Sequence, residues 1–252
     1  MILILPQSFL SWRDLRQDVY ITAGVVRLKE AVVKPPMPGL MIILMLCSLI
    51  FTPSTVLCGE SDLEAVLAGL EKKYSHKSFE AEFSQETTLA ALDIRDDSSG
   101  RVWFSHPGKM KWQYLTPRPH EFITNGKTLW FFQPLEGQVN VSSASDFFKG
   151  GAGGAFLSDF SIVRSVYESR IKSSGTATIT LELIPRQPRP DVAAIEITVL
   201  KNSLEIRQIL TRNQQDDTTK ITFSQFRFTP PDPALFEFTP PEGIEVIRLD
   251  TH

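Results

Sequence analysis

A short run in the middle of the sequence contains the residue types needed to bind a phosphate group. Gly126-Lys127-Thr128 matches the end of a phosphate-binding loop, in which backbone amides and a lysine hold the phosphates. Such a loop also needs a glycine five residues before Gly126, and that position is Glu121. Asn125 precedes the run, and Asn-Gly favours the type I′ turn of a β-hairpin. The run therefore predicts a hairpin turn rather than a nucleotide site.

The spacing of the other reactive residues argues against a metal centre or a catalytic serine. The histidines are scattered, with no pair at i and i+4: His76, His106, His120 and His252. Three aspartates have the wrong spacing for a calcium loop and predict a solvated turn: Asp93, Asp96 and Asp97. The sequence contains no Gly-x-Ser-x-Gly elbow. We therefore expect no metal, no cofactor and no enzymatic activity.

The composition narrows the class of protein further. The chain has 252 residues, of which 42% are hydrophobic and 22% charged, as is typical of a soluble globular protein. It carries 26 basic and 29 acidic side chains, a net charge of −3, so no nucleic-acid partner is expected. Two cysteines are too few for a disulfide scaffold. Phenylalanine is in excess, with 17 Phe against 4 Tyr, which provides apolar bulk without a polar group.

Residues 1–59 are expected to be an N-terminal extension with a cleavable export signal. Residues 40–51 form an apolar run that is too short to span a membrane and suits the core of a signal peptide. Pro53 ends any helix there, and Val56 and Cys58 fit the −3 and −1 positions of a signal-peptidase site. The positive charge before the run comes from Arg27, Lys29 and Lys34. Export is the resulting prediction.

Two alternatives remain open for this segment. Translation from Met1 gives an unusually long region before the apolar run, whereas a start at Met37 leaves that region without a basic side chain. Cys58 could instead be lipidated. A lipobox, however, has leucine three residues before its cysteine and a small residue directly before it, and these positions are Thr55 and Leu57.

Removal of this segment leaves residues 60–252 as a single domain of 193 residues (252 − 59). The loss of five basic and three acidic side chains changes the balance to 21 against 26, a net charge of −5. Only Phe9 and Phe51 are removed, so 15 of the 17 Phe residues remain. The aromatic excess therefore belongs to the folded domain.

Local patterns in this domain predict one helix followed by many short strands. Ser61 and Glu64 form a capping box, and apolar residues recur at helical spacing as far as Tyr74. Strands are predicted at 79–84, 101–104, 110–115, 122–124, 128–133, 138–142, 176–184, 193–200, 204–211, 220–228 and 236–239. Residues 144–149 and 156–166 are candidate helices on either side of a glycine run at 150–154. The pattern predicts a mainly antiparallel sheet with helices packed on one side.

Adjacent aromatic residues place bulky side chains on both faces of the predicted sheet. Trp103 and Phe104 are neighbours, and so are Trp130, Phe131 and Phe132. Because neighbouring side chains of a strand point to opposite faces, bulky groups lie on both. Either the sheet has an ordinary two-sided core, or one face lines a cavity for acyl chains.

Four segments resemble the signature segments of the periplasmic outer-membrane lipoprotein carrier family, LolA. They are FEAEFSQ at 79–85, GRVWFSHPGKMKWQYLTP at 100–117, TNGKTLWFFQP at 124–134 and FEFTPPEGIEV at 236–246. The resemblance extends from about residue 63 to residue 247, with the segments in order behind an export signal.

The resemblance implies a mainly β (α+β) fold, an unclosed antiparallel β-barrel whose helices form a lid over a hydrophobic cavity. It also implies a monomeric periplasmic carrier that does not itself use ATP. Such a carrier accepts triacylated lipoproteins from an inner-membrane ABC transporter, LolCDE, and delivers them to an outer-membrane acceptor, LolB.

The resemblance assigns roles to particular residues. It implies a lipid-binding cavity lined by Phe83, Trp103, Met110, Trp112, Leu129 and Phe131, although Trp130 and Phe132 are the alternative inward pair on their strand. It implies a lid that contains Phe147, Phe148, Phe156 and Leu157, with the glycine run as its hinge. The family commonly has an arginine that latches the empty lid at the position of His106, so a weaker or pH-sensitive latch is expected.

Two other functions are compatible with the sequence. A related open-barrel acceptor similar to LolB would be anchored through a lipid on Cys58. A hydrolase on the same scaffold would need an activated serine, and the sequence singles out none.

Overall fold

The computed structural model of the protein describes residues 58–145, 157 and 160–249. This part of the chain contains the α-helices α1 (Cys58–Tyr74) and α2 (Ile162–Val166). Its strands are β1 (Phe79–Leu89), β2 (Ile94–Ser105), β3 (Lys109–Thr116), β4 (His120–Asn125), β5 (Thr128–Gln133), β6 (Gln138–Ser143), β7 (Tyr167–Ser174), β8 (Thr178–Pro185), β9 (Ala194–Leu200), β10 (Ile206–Arg212), β11 (Thr218–Arg227) and β12 (Glu245–Arg248). Short 3₁₀ turns lie at Ala90–Leu92 and Pro233–Phe236.

The strands of the described residues form one sheet in the order β12-β6-β5-β4-β3-β2-β1-β11-β10-β9-β8-β7. Neighbouring strands run antiparallel, except that β12 pairs with β6 in parallel. The edge strands β12 and β7 do not pair with each other, so the sheet is unclosed. The prediction of a mainly β protein with an unclosed antiparallel sheet is confirmed.

The pairing register collects the apolar residues of neighbouring strands on one face, which we call the inner face. On β1, Phe79, Ala81 and Phe83 are buried, and the residues between them are more exposed. Phe83 lies opposite Phe223 on β11, and Ala81 lies opposite Val102 on β2. Strands β8, β9 and β10 extend this core with aliphatic residues, namely Leu181, Leu183, Ile195, Ile197, Val199, Ile206 and Ile209.

Helix α1 packs its apolar side into the same core through Val66, Leu67, Leu70 and Tyr74, at helical spacing. The Tyr74 ring lies 5.5 Å from that of Phe79 in an edge-to-face arrangement. Its hydroxyl accepts a hydrogen bond of 2.9 Å from the Ile206 backbone N–H. Burial raises the pKa of this hydroxyl, which stays protonated at neutral pH. Tyr74 thus fixes the end of α1 to the sheet.

The start of α1 differs from its predicted position. The helix begins at Cys58, three residues before Ser61, so Ser61 lies inside the helix rather than at its N-cap. An N-cap contributes only about 1 kcal/mol, whereas packing of the apolar side stabilises the helix as a whole. The local capping signal therefore does not set the boundary.

The outer face of the sheet from β3 to β6 is covered by the C-terminal segment. The Phe238 ring lies 5.0 Å from Phe132 and 6.3 Å from Trp130. The predicted strand at 236–239 is wrong. Instead, this part of the chain begins with the end of the 3₁₀ turn Pro233–Phe236. Asp232 caps that turn by accepting a hydrogen bond of 2.9 Å from the Ala234 N–H. The segment then reaches β12, a strand that local pattern did not predict.

The predicted hairpin between β4 and β5 is confirmed, but its predicted turn type is wrong. A type I′ turn needs positive φ at both Asn125 and Gly126, and only Gly126 has it, at 92°. The Asn125 Oδ1 instead accepts the N–H groups of Lys127 and Thr128, each at 3.0 Å. An asparagine side chain that mimics a backbone turn explains this geometry.

Other local predictions are also revised. Asp96 and Asp97 lie within β2 rather than in a turn, and only Asp93 lies in the connection, with a φ of 51°. Strand β7 was not predicted, because its sequence is mostly polar. Helix α2 lies within the predicted helix 156–166. The glycine run at 150–154 and most of the candidate helix 144–149 fall outside the described residues.

Candidate functional site

The inner face between β1 and β5 carries a cluster of buried apolar side chains. Five of the predicted cavity residues lie there and are buried, namely Phe83, Met110, Trp112, Leu129 and Phe131. The register joins them across strands. Trp112 lies opposite Val102 and Phe122, and Phe122 lies opposite Phe131. The sheet therefore brings together side chains that are up to 48 positions apart, from Phe83 to Phe131.

Aromatic rings dominate this part of the inner face. The Trp112 ring lies 5.1 Å from Phe83, 6.1 Å from Phe104 and 6.2 Å from Phe223. Phe122 and Phe131 stack at 4.4 Å with an interplanar angle of 9°. Ring contacts of this kind form a large apolar surface with few hydrogen bonds. Such a surface suits contact with apolar chains.

Space for the Phe83 ring depends on a glycine on the neighbouring strand. Gly100 lies opposite Phe83 on β2. A Cβ atom at this position would lie 1.9 Å from the Gln113 carbonyl oxygen and 2.9 Å from the Phe83 ring. The close approach therefore requires glycine at position 100.

Trp103 is the exception among the predicted cavity residues, because it lies on the outer face. Its neighbours in sequence, Val102 and Phe104, are buried on the inner face, and alternation directs Trp103 the other way. The Trp103 indole N–H donates a hydrogen bond of 2.8 Å to the Glu80 carboxylate. Grouping Trp103 with the cavity residues is therefore not supported by the geometry.

The structure also decides between the two candidate pairs on β5. Leu129 and Phe131 are 2% and 7% exposed on the inner face. Trp130 and Phe132 lie on the outer face, where they contact Phe238. The alternative inward pair is excluded.

Most of the predicted lid lies beyond what the structure describes. Phe147, Phe148 and Phe156 fall outside the described residues. Leu157 is described, is 2% exposed, and belongs to the same apolar cluster as Trp112 and α1.

The predicted latch residue contacts a second histidine. The His106 Nε2 lies 2.9 Å from the His76 Nδ1, and the two rings meet edge to face at 4.2 Å. His76 lies just after α1, with a φ of 60°, and His106 begins the turn between β2 and β3. A hydrogen bond between two imidazoles needs one ring to donate and the other to accept. The pair therefore joins the end of α1 to the β2–β3 turn.

A polar group of residues borders the aromatic cluster. The Tyr114 hydroxyl donates a hydrogen bond of 2.8 Å to the Gln85 Oε1, and the Gln85 amide donates to the Thr87 hydroxyl at 3.1 Å. Burial raises the pKa of Tyr114, and the nearby Trp112 side chain partly opposes that shift. Sequence reasoning missed these residues, as it missed Phe104 and Phe223, because their role depends on pairing between distant strands.

His120 closes the same end of the cluster. Its ring stacks on Tyr114 at 4.2 Å and meets the Phe131 ring edge-on at 5.7 Å. Burial lowers the pKa of His120, whereas a hydrogen bond to the Arg118 carbonyl oxygen and the charge of Glu136 oppose the shift. The folded protein therefore disfavours the protonated imidazole.

This pKa shift predicts a pH-dependent stability. In the unfolded chain, His120 takes up a proton near pH 6.5, whereas in the folded chain its pKa is lower. The stabilisation that results is complete above about pH 6.5 and is lost as the pH falls from there through the lowered pKa. Denaturant unfolding at pH 7.5 and pH 5 should show a larger loss of stability for the wild type than for His120→Gln. Equal losses in the two proteins would contradict the prediction.

Two properties of the described residues bear on other functions. These residues contain no group of three or more histidine, cysteine, aspartate or glutamate side chains arranged to hold a metal ion. Within the same residues, no helix combines the length and apolar character needed to cross a membrane.

Comparison with known proteins places the chain in a family. The model of the family described as "Outer membrane lipoprotein carrier protein LolA" matches residues 74–239, more than half of the chain. The "Outer-membrane lipoprotein carrier protein" of Nitrosomonas europaea is 30% identical over 172 residues, which are 68% of this chain and 82% of that protein. A protein of the same name from Coxiella burnetii is 28% identical over 211 residues, covering 79% and 93%.

One solved structure shares the fold of this chain. An uncharacterized conserved protein from Thermus thermophilus matches with a TM-score of 0.51 and 14% identity, covering 75% of this chain and 99% of that one. The inner-face strands lie within the segment that the family model matches. The chain belongs to the LolA family of outer membrane lipoprotein carrier proteins.

Proposed function

We propose that this protein is a periplasmic carrier that binds the acyl chains of lipoproteins on its inner face and delivers them to the outer membrane. The continuous aromatic surface formed by Phe83, Trp112, Phe122 and Phe131 carries the proposal, because it joins apolar groups from four strands. The family relationship supplies the class of cargo.

The energetics of lipid transfer explain why such a surface is needed. Burial of a methylene group is worth about 0.8 kcal/mol, so three acyl chains left in water cost on the order of 30 kcal/mol. A lipoprotein therefore crosses the aqueous periplasm only while its chains are covered. An inner face made of rings, with few hydrogen bonds, covers them without binding one chain shape rigidly.

The ligand must replace contacts that cover the inner face in the described state. Val66, Leu67 and Leu70 of α1 and Leu157 pack in the same cluster as Trp112. We propose that the segment around Leu157 acts as a lid that moves aside for the acyl chains. The hydrogen bond between His76 and His106 would then hold α1 to the β2–β3 turn in the empty state, in place of the arginine latch typical of the family.

The route of the protein follows from the same proposal. Residues 1–59 would direct export and be removed near Cys58, leaving the domain in the periplasm. The carrier would receive triacylated lipoproteins from the inner-membrane transporter LolCDE and pass them to LolB where that acceptor is present. It would work as a monomer, as the family resemblance implies. It would need no nucleotide, since its inner face binds cargo by apolar contact.

A release assay tests the function directly. Purified residues 60–252 are added to spheroplasts that hold a labelled triacylated lipoprotein in their inner membrane. We expect the lipoprotein to appear in the soluble fraction in a one-to-one complex with the carrier, and to displace a hydrophobic fluorophore from it. If the lipoprotein stays in the membrane at carrier concentrations above those of the cargo, the proposal is wrong.

The anchored acceptor is the alternative, and the mass of the exported protein separates the two. Cleavage near Cys58 without modification gives the unmodified mass of the mature chain. A diacylglyceryl group on Cys58 would favour an acceptor similar to LolB. The positions before this cysteine, Thr55 and Leu57, favour the unmodified form.

A further inference from the structure

One polar atom inside the aromatic cluster has no hydrogen-bond partner. The Trp112 Nε1 is fully buried, and no described atom accepts its hydrogen in proper geometry. The residue as a whole is 4% exposed and lies among Phe83, Phe104 and Phe223. Buried polar groups are normally paired, so a donor left unpaired in a native core calls for an explanation.

Another tryptophan of the sheet, Trp103, shows how an indole N–H is paired in this protein. Trp103, nine residues earlier on β2, donates its N–H to the Glu80 carboxylate at 2.8 Å. The other buried unpaired side-chain atom among the described residues is the Ser169 hydroxyl on β7. A hydroxyl can rotate toward a new partner, whereas an indole N–H is fixed by the packing of its ring. The Trp112 donor is therefore the more informative of the two.

The Tyr114 hydroxyl is near enough to interact with this donor, but it does not accept the hydrogen in the geometry of a hydrogen bond. The Tyr114 hydroxyl lies close to the Trp112 side chain and gives its own hydrogen to Gln85, which in turn donates to Thr87. These three residues form a hydrogen-bonded row at the border of the aromatic cluster. The Trp112 N–H thus lies between that row and the apolar surface, where the polar end of an acyl chain would meet its hydrocarbon part.

We propose that the Trp112 N–H donates a hydrogen bond to the carbonyl oxygen of an acyl ester or amide of the bound lipid. This inference rests on the proposed carrier function and deepens it. An indole N–H only donates, so its partner must be an acceptor. The residues paired with Trp112, namely Val102 and Phe122, are uncharged, as are Gly100 and Phe223 beside Phe83.

The absence of charge around the donor selects the class of acceptor. A carboxylate placed among these groups would lose its hydration without gaining a cation, which is unfavourable. A neutral carbonyl, by contrast, loses little hydration and gains a bond in a medium of low dielectric constant. Trp112 would therefore position the acyl chains by their carbonyl groups and distinguish acylated ligands from plain hydrocarbon or free fatty acid.

Two lipids that differ only at the carbonyl group test this assignment. The mature domain is titrated with dipalmitoylglycerol and with its ether counterpart, 1,2-di-O-hexadecylglycerol, each by displacement of a hydrophobic fluorophore. One neutral hydrogen bond corresponds to about a threefold to tenfold change in affinity. The wild type should prefer the ester by that factor, and Trp112→Phe should lose the preference.

Trp103→Phe is the matched control, since it removes an indole whose N–H is bonded on the outer face. It should keep the ester preference of the wild type. Any difference in water solubility between the lipids acts on all three proteins alike, so the comparison between variants isolates the N–H. Retention of the full preference in Trp112→Phe, or its absence in the wild type, would overturn the assignment.

A second measurement uses the wild-type protein alone and avoids any effect of substitution on folding. In ¹⁵N spectra, the Trp112 indole N–H should move downfield on addition of the ester lipid and stay unchanged with the ether lipid. The Trp103 and Trp130 indoles provide references in the same spectrum. If neither lipid binds any of the proteins, the carrier function itself fails. If both lipids bind equally, only the role of the Trp112 donor is wrong.

Discussion

Replacing Phe131 with glutamine is expected to weaken binding of a triacylated lipoprotein by about a hundredfold. Phe131 is 7% exposed at the margin of the inner face and stacks on Phe122 at 4.4 Å. The substitution removes an apolar contact worth about 1.5–3 kcal/mol and adds an amide whose burial costs about 1–3 kcal/mol. Their sum is about 2.5–6 kcal/mol, and its lower part, about 3 kcal/mol, corresponds to about two orders of magnitude in Kd. Competition against a hydrophobic fluorophore measures this directly.

The next residue along β5 supplies the control for this experiment. Phe132 is an identical side chain on the outer face, half-buried and 5.0 Å from Phe238. Phe132→Gln is expected to lower stability by a smaller amount, because Phe132 is less buried, while leaving lipid affinity within about twofold of the wild type. Thermal unfolding of both variants separates binding from folding. Equal losses of lipid affinity would mean that the inner face is not the binding surface.

Truncation of Phe79 is expected to have the largest effect on stability. Phe79 is fully buried, stacks on Phe104 at 4.8 Å and meets Tyr74 edge-on at 5.5 Å. It therefore joins α1 to two strands of the sheet. Loss of a buried phenylalanine ring costs about 3–5 kcal/mol, because a cavity remains where the ring was. Phe79→Ala should lower the free energy of unfolding by this amount, and denaturant titration measures it.

A second phenylalanine of the same cluster tests whether burial is the cause. Phe228 lies 5.8 Å from Phe79 but is 41% exposed. Because less of its surface leaves water on folding, Phe228→Ala should cost about 1 kcal/mol. If Phe228→Ala lowers the free energy of unfolding as much as Phe79→Ala does, contact between the rings, rather than burial, determines the stability of this region. Such a result would also mean that Phe79 is not the main residue that joins α1 to the sheet.

Local pattern in the sequence was enough to predict most strands of the carrier domain. The alternation of Phe79, Ala81 and Phe83 with polar residues has the period of a strand, and β1 begins at Phe79. The predicted strand 128–133 has the same bounds as β5. The weaker predictions fell at the edges of the sheet. Strand β7 has mostly polar residues, and β12 has only four, so neither carries a strong pattern.

The candidate site was predictable only in part. Family resemblance pointed to Phe83, Met110 and Trp112, and these lie together on the inner face. It also grouped Trp103 with them, although alternation along β2 directs that ring to the opposite face. Tyr114 and His120 carried no signal of their own, because their contacts arise only when β3 and β4 pair.

The sequence by itself determined helix α1, most of the strands, the excess of phenylalanine in the domain and, by resemblance, the family. These properties follow from residue type and local spacing, which act along the chain. Tertiary structure alone decided that Leu129 and Phe131 face inward and that Trp130 and Phe132 meet Phe238. Alternation requires that neighbours face opposite ways, but only pairing with distant strands and cover by the C-terminal segment select which way. The Trp112 N–H is likewise left without a hydrogen bond of proper geometry by packing, since no described acceptor meets it in the right direction in the folded core.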